Sequence, residues 1–204
     1  MRSRTPADFA GRCRDCYMPL ALCLCAEVSR VHTRTEVVIV RHNKETHKST
    51  NTARLAELML ERCRIVTYGA PGGDFVPESL ATPRTWIVFP EAPLPAPDAP
   101  PPERLLLLDG SWAQARRMYQ RIPGLLRLPG IRLPPPAPDS RRLRQPPHPY
   151  GMSTVEAIAG ALGLLEGEAV ARPLRALHEV MIDRVLASRG VGTVPEVEDD
   201  GDTP

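Results

Sequence analysis

One stretch of this sequence constrains the fold more than any other: residues 105–117, where four consecutive leucines lead into a polar hinge and then a helical pattern. Four leucines bounded by charged residues predict a strand buried on both faces, as strands of parallel sheets are. Apolar residues then recur at helical spacing, at Trp112, Ala115, Tyr119 and Ile122. Asp109 lies at the junction, and active sites of open α/β sheets lie at such carboxyl ends of strands.

Part of this stretch has a purely local explanation. Ser111 and Gln114 have the spacing of a capping box, and Gly110 suits a tight turn. A carboxylate at the end of a buried strand is more than a helix cap requires, so Asp109 is a candidate functional residue. For Trp112 two alternatives stay open: packing of the helix onto the sheet, which we favour, and stacking on a bound base.

The rest of the chain continues the alternation of strands and helices. Further strands are predicted at residues 36–40, 64–68 and 85–89. Helices are predicted at residues 51–62 with Asn51 as the cap, from Ser153 onward with a second capping box at Glu156, and at residues 172–188. This alternation predicts an α/β fold with a mainly parallel sheet.

The predicted organisation has three parts. Residues 1–30 form a small amino-terminal module, residues 31–190 an α/β domain, and residues 191–204 an acidic disordered tail. Five acidic residues of that tail lower the formal net charge of the chain, which is +2 with them and +7 without them. That excess suits a polyanionic partner, although 24 of the 26 basic residues are arginine, as a GC-rich coding bias would also produce. No apolar run approaches a membrane span or a secretory signal, so we expect a cytoplasmic protein.

Four of the five cysteines lie within thirteen residues, at Cys13, Cys16, Cys23 and Cys25. Four thiolates at this spacing predict a tetrahedral structural zinc site with no open position for water. Disulfides and redox-active pairs are the less favoured alternatives in a chain that lacks a secretion signal. Cys63, between a helix and a strand, is interpreted as a small buried apolar residue.

Five motifs in one order resemble those of the DTW-domain family, the tRNA-uridine aminocarboxypropyltransferases, in its bacterial type with an amino-terminal four-cysteine cluster. They occupy residues 12–25, 51–55, 109–112, 140–144 and 153–157. Residues 109–112, Asp-Gly-Ser-Trp, resemble the Asp-x-Thr-Trp signature, with Ser111 in place of threonine. Arg141 stands where related sequences often have an aromatic residue.

The resemblance implies a SPOUT-like fold with a carboxy-terminal knot, S-adenosylmethionine as co-substrate and tRNA as partner, with no obligate protein partner. It implies transfer of the 3-amino-3-carboxypropyl group to N3 of a uridine, which leaves methylthioadenosine. Alternatives that stay open are a SPOUT-like RNA methyltransferase and a non-catalytic, zinc-bearing RNA-binding module. In the enzyme, Asp109 would remove or orient the N3 proton.

The resemblance also assigns the remaining candidate residues. Ser111 and Trp112 join Asp109 in the catalytic motif. The cofactor would be bound by Phe89, Pro90, Leu108, Asp109, Gly110, Ser153, Thr154 and Glu156. From the chemistry of guanidinium groups, which offer paired donors, Arg54, Arg116, Arg142 and Arg144 are candidates to bind RNA phosphates, with a solvated helix face as the alternative for Arg116. For both capped helices the alternative stays open that their first residues are only good caps.

Overall fold

In a computed structural model of the chain, the described residues form five strands and four α-helices. The structure describes residues 11–46, 48, 51–73, 75–137, 141–143 and 151–190. The strands are β1 (Glu36–His42), β2 (Cys63–Tyr68), β3 (Thr85–Val88), β4 (Arg104–Asp109) and β5 (Gly130–Ile131). The helices are α1 (Ala53–Met59), α2 (Trp112–Arg121), α3 (Thr154–Glu166) and α4 (Glu168–Ser188). The predicted tail at residues 191–204 and the candidate Arg144 lie outside the described residues.

The strands form one sheet in the order β2-β1-β4-β3-β5, and every pair in it is parallel. The predicted α/β fold with a mainly parallel sheet is therefore confirmed. Because all strands run the same way, their carboxyl ends meet at one edge, where β1 ends at His42 and β4 at Asp109. The short strand β5 was not predicted, because two residues carry no periodic signal.

Side chains of β4 alternate between two apolar layers. Leu105 and Leu107 face a layer that includes residues of α1, α3 and α4, whereas Leu106 faces the layer of α2. The sheet is thus covered on both faces, which explains why a continuous run of leucine, and not an alternating pattern, encodes its central strand.

Three predicted helix boundaries are wrong: both ends of the first helix and the start of the last. The first helix begins at Ala53 with Thr52 as its cap, not Asn51, and ends at Met59, because Leu60 is extended and pairs with Val31. The last helix begins at Glu168, not at residue 172, directly after Gly167. Gly167 has a φ of 97°, a conformation that glycine adopts readily and that separates α3 from α4.

The cysteine-rich segment packs against the α/β core. Met18 and Leu24 are buried in the same apolar layer as α1 and α4. Arg184 on α4 donates to the carboxylate of Glu27 over 2.6 Å. In the described part of the chain, no helix has the length and apolar character needed to cross a membrane.

The position of Leu106 generates a prediction about stability. Leu106 is fully buried in the central strand, so Leu106→Ala should lower the free energy of unfolding by roughly 2–5 kcal/mol, through lost burial and the cavity left behind. Urea denaturation followed by circular dichroism measures this. Leu126→Ala is the control because Leu126 is 55% exposed, and equal losses in the two variants would contradict the assignment.

Candidate active site

A pocket of about 400 Å³ opens at the carboxyl edge of the sheet. Its walls come from the ends of β3 and β4, the first residues of α2 and α3, and the segments around residues 131–133 and 142–143. All candidate catalytic and cofactor-binding residues line it: Phe89, Pro90, Leu108, Asp109, Gly110, Ser111, Trp112, Ser153, Thr154 and Glu156. The structure therefore brings together residues that are up to 67 positions apart in the sequence.

The Asp109 carboxylate is the most constrained polar group of the pocket. The residue is only 5% exposed, and each carboxylate oxygen accepts one hydrogen bond. Asn51 Nδ2 donates to Oδ2 and Thr154 Oγ1 to Oδ1, both over 2.6 Å. Burial raises the pKa of Asp109 above its ordinary value, although these two hydrogen bonds and the charge of Arg41 oppose the increase. A carboxylate with a raised pKa is better suited to accept a proton near neutral pH.

These hydrogen bonds explain why Asn51 does not cap α1. Its side-chain amide is directed to Asp109, 58 residues away, and is not used by the helix. Thr52 makes a second link between the same elements, because its hydroxyl accepts a hydrogen bond from Val155 N over 3.3 Å. The starts of α1 and α3 thus meet at the end of β4.

The hinge after Asp109 has the predicted capping box. Ser111 Oγ accepts from Gln114 N over 3.3 Å, and Gln114 Oε1 accepts from Ser111 N over 2.6 Å. Gly110 lies in the bend between β4 and α2. A Cβ there would lie 3.0 Å from the Cβ of Gln114, closer than an ordinary contact, so a side chain would require Gln114 to shift.

Trp112 forms part of the pocket wall. Its ring stacks on Phe89 with a centroid distance of 5.8 Å and an interplanar angle of 9°. Phe89 is buried and contacts Tyr119 in turn, with ring centroids 4.4 Å apart. The sequence favoured packing as the role of Trp112. Because Trp112 is half-buried and lines the pocket, packing is only part of the explanation for this residue.

The start of α3 has the second predicted capping box, and it contacts His178, a residue that sequence reasoning missed. Glu156 Oε2 accepts from Ser153 N over 2.6 Å, and Ser153 Oγ accepts from Glu156 N over 3.3 Å. Ser153 Oγ also lies 3.3 Å from Nε2 of His178, a residue of α4 that lines the pocket. Burial lowers the pKa of His178. The available signal was a histidine on the apolar face of the predicted helix, beside Leu177 and Met181.

The candidate RNA-binding arginines lie in different places. Arg142 lines the pocket and donates to the carbonyl of Gly151 over 2.7 Å. Arg116 is exposed and pairs with Glu91 over 3.4 Å. Arg54 points to the cysteine-rich segment, where it donates to the carbonyl of Asp15, stacks over Tyr17 and pairs with Glu57. Of the three candidate RNA-binding arginines that the structure describes, only Arg142 lines the pocket.

The four clustered cysteines have the arrangement of a metal site. Their Sγ atoms all lie within 4.8 Å of one another, with Cys13 to Cys25 at 3.5 Å and Cys16 to Cys23 at 3.8 Å. Disulfides, with sulfurs about 2.05 Å apart, are absent at these distances. Tetrahedral zinc with bonds of roughly 2.3 Å separates its sulfurs by roughly 3.8 Å, so the donor set fits that ion.

The two donors to Asp109 generate a prediction about its titration. Thr154→Val should raise the pKa of Asp109 further, because the lost hydrogen bond stabilises the charged form. Carbon-13 NMR of the carboxyl carbon over a pH series measures the shift. Thr67→Val, on β2, is the control and should leave the titration unchanged. An unaltered pKa in the Thr154 variant would contradict the hydrogen bond.

Comparison with known proteins identifies the family of the chain. The DTW domain model matches residues 10–186. The tRNA-uridine aminocarboxypropyltransferase 2 of Drosophila melanogaster is 28% identical over 89% of this chain and 79% of its own length. The corresponding protein A of Arabidopsis thaliana is 28% identical over 83% of this chain and 79% of its own length. The SAM-dependent rRNA:acp-transferase Tsr3 from Vulcanisaeta distributa has a similar fold, with a TM-score of 0.51 at 22% identity over 76% of this chain and 79% of that one. With most of its length matched, the chain belongs to the DTW-domain family.

Proposed function

We propose that this protein transfers the 3-amino-3-carboxypropyl group of S-adenosylmethionine to N3 of a uridine in tRNA. Family membership and the names of the relatives support the reaction class. The observation that carries the proposal is a buried carboxylate, Asp109, lining a pocket at the carboxyl edge of a parallel sheet. The proposal applies to tRNA because the two curated relatives described above are tRNA-uridine enzymes.

The pocket suits S-adenosylmethionine in size and chemistry. Its volume of about 400 Å³ lies within the roughly 300–1,000 Å³ typical of small-molecule sites. Phe89, Pro90, Leu108 and Trp112 offer apolar surface for the adenosine part. The amino terminus of α3, at Ser153 and Thr154, would receive the methionine carboxylate, because the positive end of a helix favours an anion. Glu156 would pair with the amino group.

The bound co-substrate supplies the 3-amino-3-carboxypropyl group on a sulfonium sulfur. When the bond between this group and the sulfur breaks, the sulfur leaves as part of neutral methylthioadenosine. The protein's remaining task is the proton on uridine N3, which must leave when the nitrogen forms its new bond to carbon. We assign this task to Asp109, which accepts the proton or orients N3. Its raised pKa supports the assignment, and the hydrogen bonds from Asn51 and Thr154 hold the carboxylate in one orientation.

The finer features of the family are part of the same proposal. A carboxy-terminal knot is included because the resemblance to the family implies it. Arg142 would contact a phosphate at the pocket. The module of residues 1–30 would be the bacterial-type cysteine module, and a tRNA substrate supports a cytoplasmic location.

The proposal also includes a structural zinc ion on Cys13, Cys16, Cys23 and Cys25. Four thiolates fill a tetrahedral coordination sphere, so the ion would hold the segment together and would not activate water. The segment packs on α1 and α4, and therefore zinc would stabilise the fold from the side opposite α2.

The reaction is tested by incubating the protein with unmodified tRNA and S-adenosylmethionine, followed by mass spectrometry of the nucleosides. We expect a uridine heavier by one aminocarboxypropyl group. Asp109→Asn should lower the rate of transfer by roughly 10²–10⁴-fold, because the amide cannot take the proton. Asp98→Asn, at an exposed loop position, is the control.

Three outcomes of this experiment speak against the proposal. A methylated uridine would indicate a SPOUT-like methyltransferase, and no change in any nucleoside would indicate a binding module. Full activity of a correctly folded Asp109→Asn variant would refute the role of the carboxylate, while the transfer reaction itself would stand.

The zinc proposal predicts one equivalent of zinc per chain by inductively coupled plasma mass spectrometry. Cys25→Ser should reduce the zinc content and the temperature of unfolding, because a ligand is lost. Cys63→Ser is the matched control, since Cys63 lies outside the cluster. Equal zinc contents in both variants would contradict the proposed ligand set.

A further inference from the structure

A surface next to the pocket combines aromatic rings with unpaired cationic side chains. His42 ends β1 and Tyr68 ends β2, where the two residues are register partners. Their rings meet edge to face, with centroids 6.3 Å apart. Lys44 follows in the short helical turn after β1, and Arg117 lies on α2. We call these four residues the basic platform.

The basic platform adjoins the pocket through Gly110. A Cβ at Gly110 would lie 3.6 Å from the Cβ of His42, and Gly110 itself lines the pocket. Arg117 follows one helical turn after Gln114, the residue that packs against Gly110. His42 of the platform therefore lies beside Gly110, the residue that follows Asp109, on the side of β1 and β2.

The cations of the platform are available to a ligand. Lys44 and Arg117 are exposed, and among the described residues neither one forms an ion pair with a carboxylate. The nearby acid, Glu45, is buried and pairs with Lys48 over 2.6 Å. Arg116, in contrast, is paired with Glu91. The free positive charge next to the pocket thus lies on the platform.

The rings of the platform are held in place and are suited to stacking. Tyr68 is half-buried and is supported by Phe75, with ring centroids 5.2 Å apart and an interplanar angle of 81°. Burial and the charges of Lys44 and Arg117 hold the pKa of His42 below its usual value, which favours the neutral form of this ring. Neutral aromatic faces flanked by cations are the chemistry that binds single-stranded nucleic acid.

We propose that the basic platform binds the RNA strand next to the target uridine, with Lys44 and Arg117 on phosphates and Tyr68 against a base. The proposal rests on the proposed function, because it needs an RNA substrate whose uridine enters the pocket. It moves the main RNA contact away from Arg54 and Arg116, which already have protein partners. Charge complementarity favours RNA over other partners, since two cations without carboxylate partners among the described residues, beside two aromatic rings, match a backbone with one phosphate per base.

The test is a charge reversal with a matched control. Lys44→Glu combined with Arg117→Glu should weaken tRNA binding at least tenfold in fluorescence anisotropy. It should also reduce the slope of log affinity against log salt by about two, because two phosphate contacts are lost. The control, Arg121→Glu with Arg127→Glu, makes the same charge change at the end of α2 and just before β5, away from the carboxyl edge.

The variants should retain the cofactor site and the fold. Binding of S-adenosylmethionine by calorimetry and the temperature of unfolding should match the parent, while KM for tRNA rises with the loss of binding. Tyr68→Leu should weaken RNA binding about tenfold and Tyr68→Phe should not, because phenylalanine keeps the stacking face.

The outcomes separate this inference from the proposed function. Parental affinity and salt slope in the Lys44/Arg117 variant, or an equal loss in the control, would overturn the platform even if the protein modifies tRNA. Loss of RNA binding only in the platform variant, in a parent that transfers no carboxypropyl group, would support the platform and refute the reaction. If the parent binds an acidic protein and no RNA, the platform proposal fails.

Discussion

The structure depends on a carboxylate buried at the end of a buried strand. Ionised groups are costly to remove from water, and Asp109 is only 5% exposed. Its two oxygens are satisfied from two directions, by Asn51 before α1 and by Thr154 at the start of α3. Hydrogen bonds to charged groups contribute roughly 1.5–3 kcal/mol each, so these contacts fix three separate segments at one point. The pocket exists because those segments meet there.

The same arrangement sets the chemistry of the pocket. The donors that hold Asp109 also stabilise its charged form and lower its pKa, whereas burial raises it, and burial prevails. A carboxylate held by side-chain donors keeps its orientation when a substrate arrives, so little reorganisation is needed. Trp112 adds an apolar wall beside the carboxylate, and the capped start of α3 adds a helix amino terminus.

Features encoded by neighbouring residues could be predicted from the sequence, and features made by distant residues could not. The leucine strand, both capping boxes and the four-cysteine cluster each depend on local spacing, and all have the predicted form. The sequence predicts Asn51 as a helix cap, because its actual partner, Asp109, is 58 positions away and local spacing does not reveal it. His178 was missed for the same reason, since only the packing of α4 on α3 brings it to Ser153. The motifs of the family predicted residues that line one pocket, but not the contacts between those residues.

Two buried polar atoms near Asp109 argue that the region is built for a ligand and not for stability alone. Among the described residues, Nε of Arg41 and Oδ1 of Asn51 are buried without a hydrogen-bond partner. Such atoms are costly and uncommon in native proteins, and a role in catalysis or binding is one reason for which they are retained. Turning the Asn51 amide would place Oδ1 against the Asp109 carboxylate, which accepts hydrogen bonds, and would remove the hydrogen bond from Nδ2. The orientation that supports the carboxylate is therefore kept at the expense of local hydrogen bonding, as expected if the carboxylate has a role in the reaction.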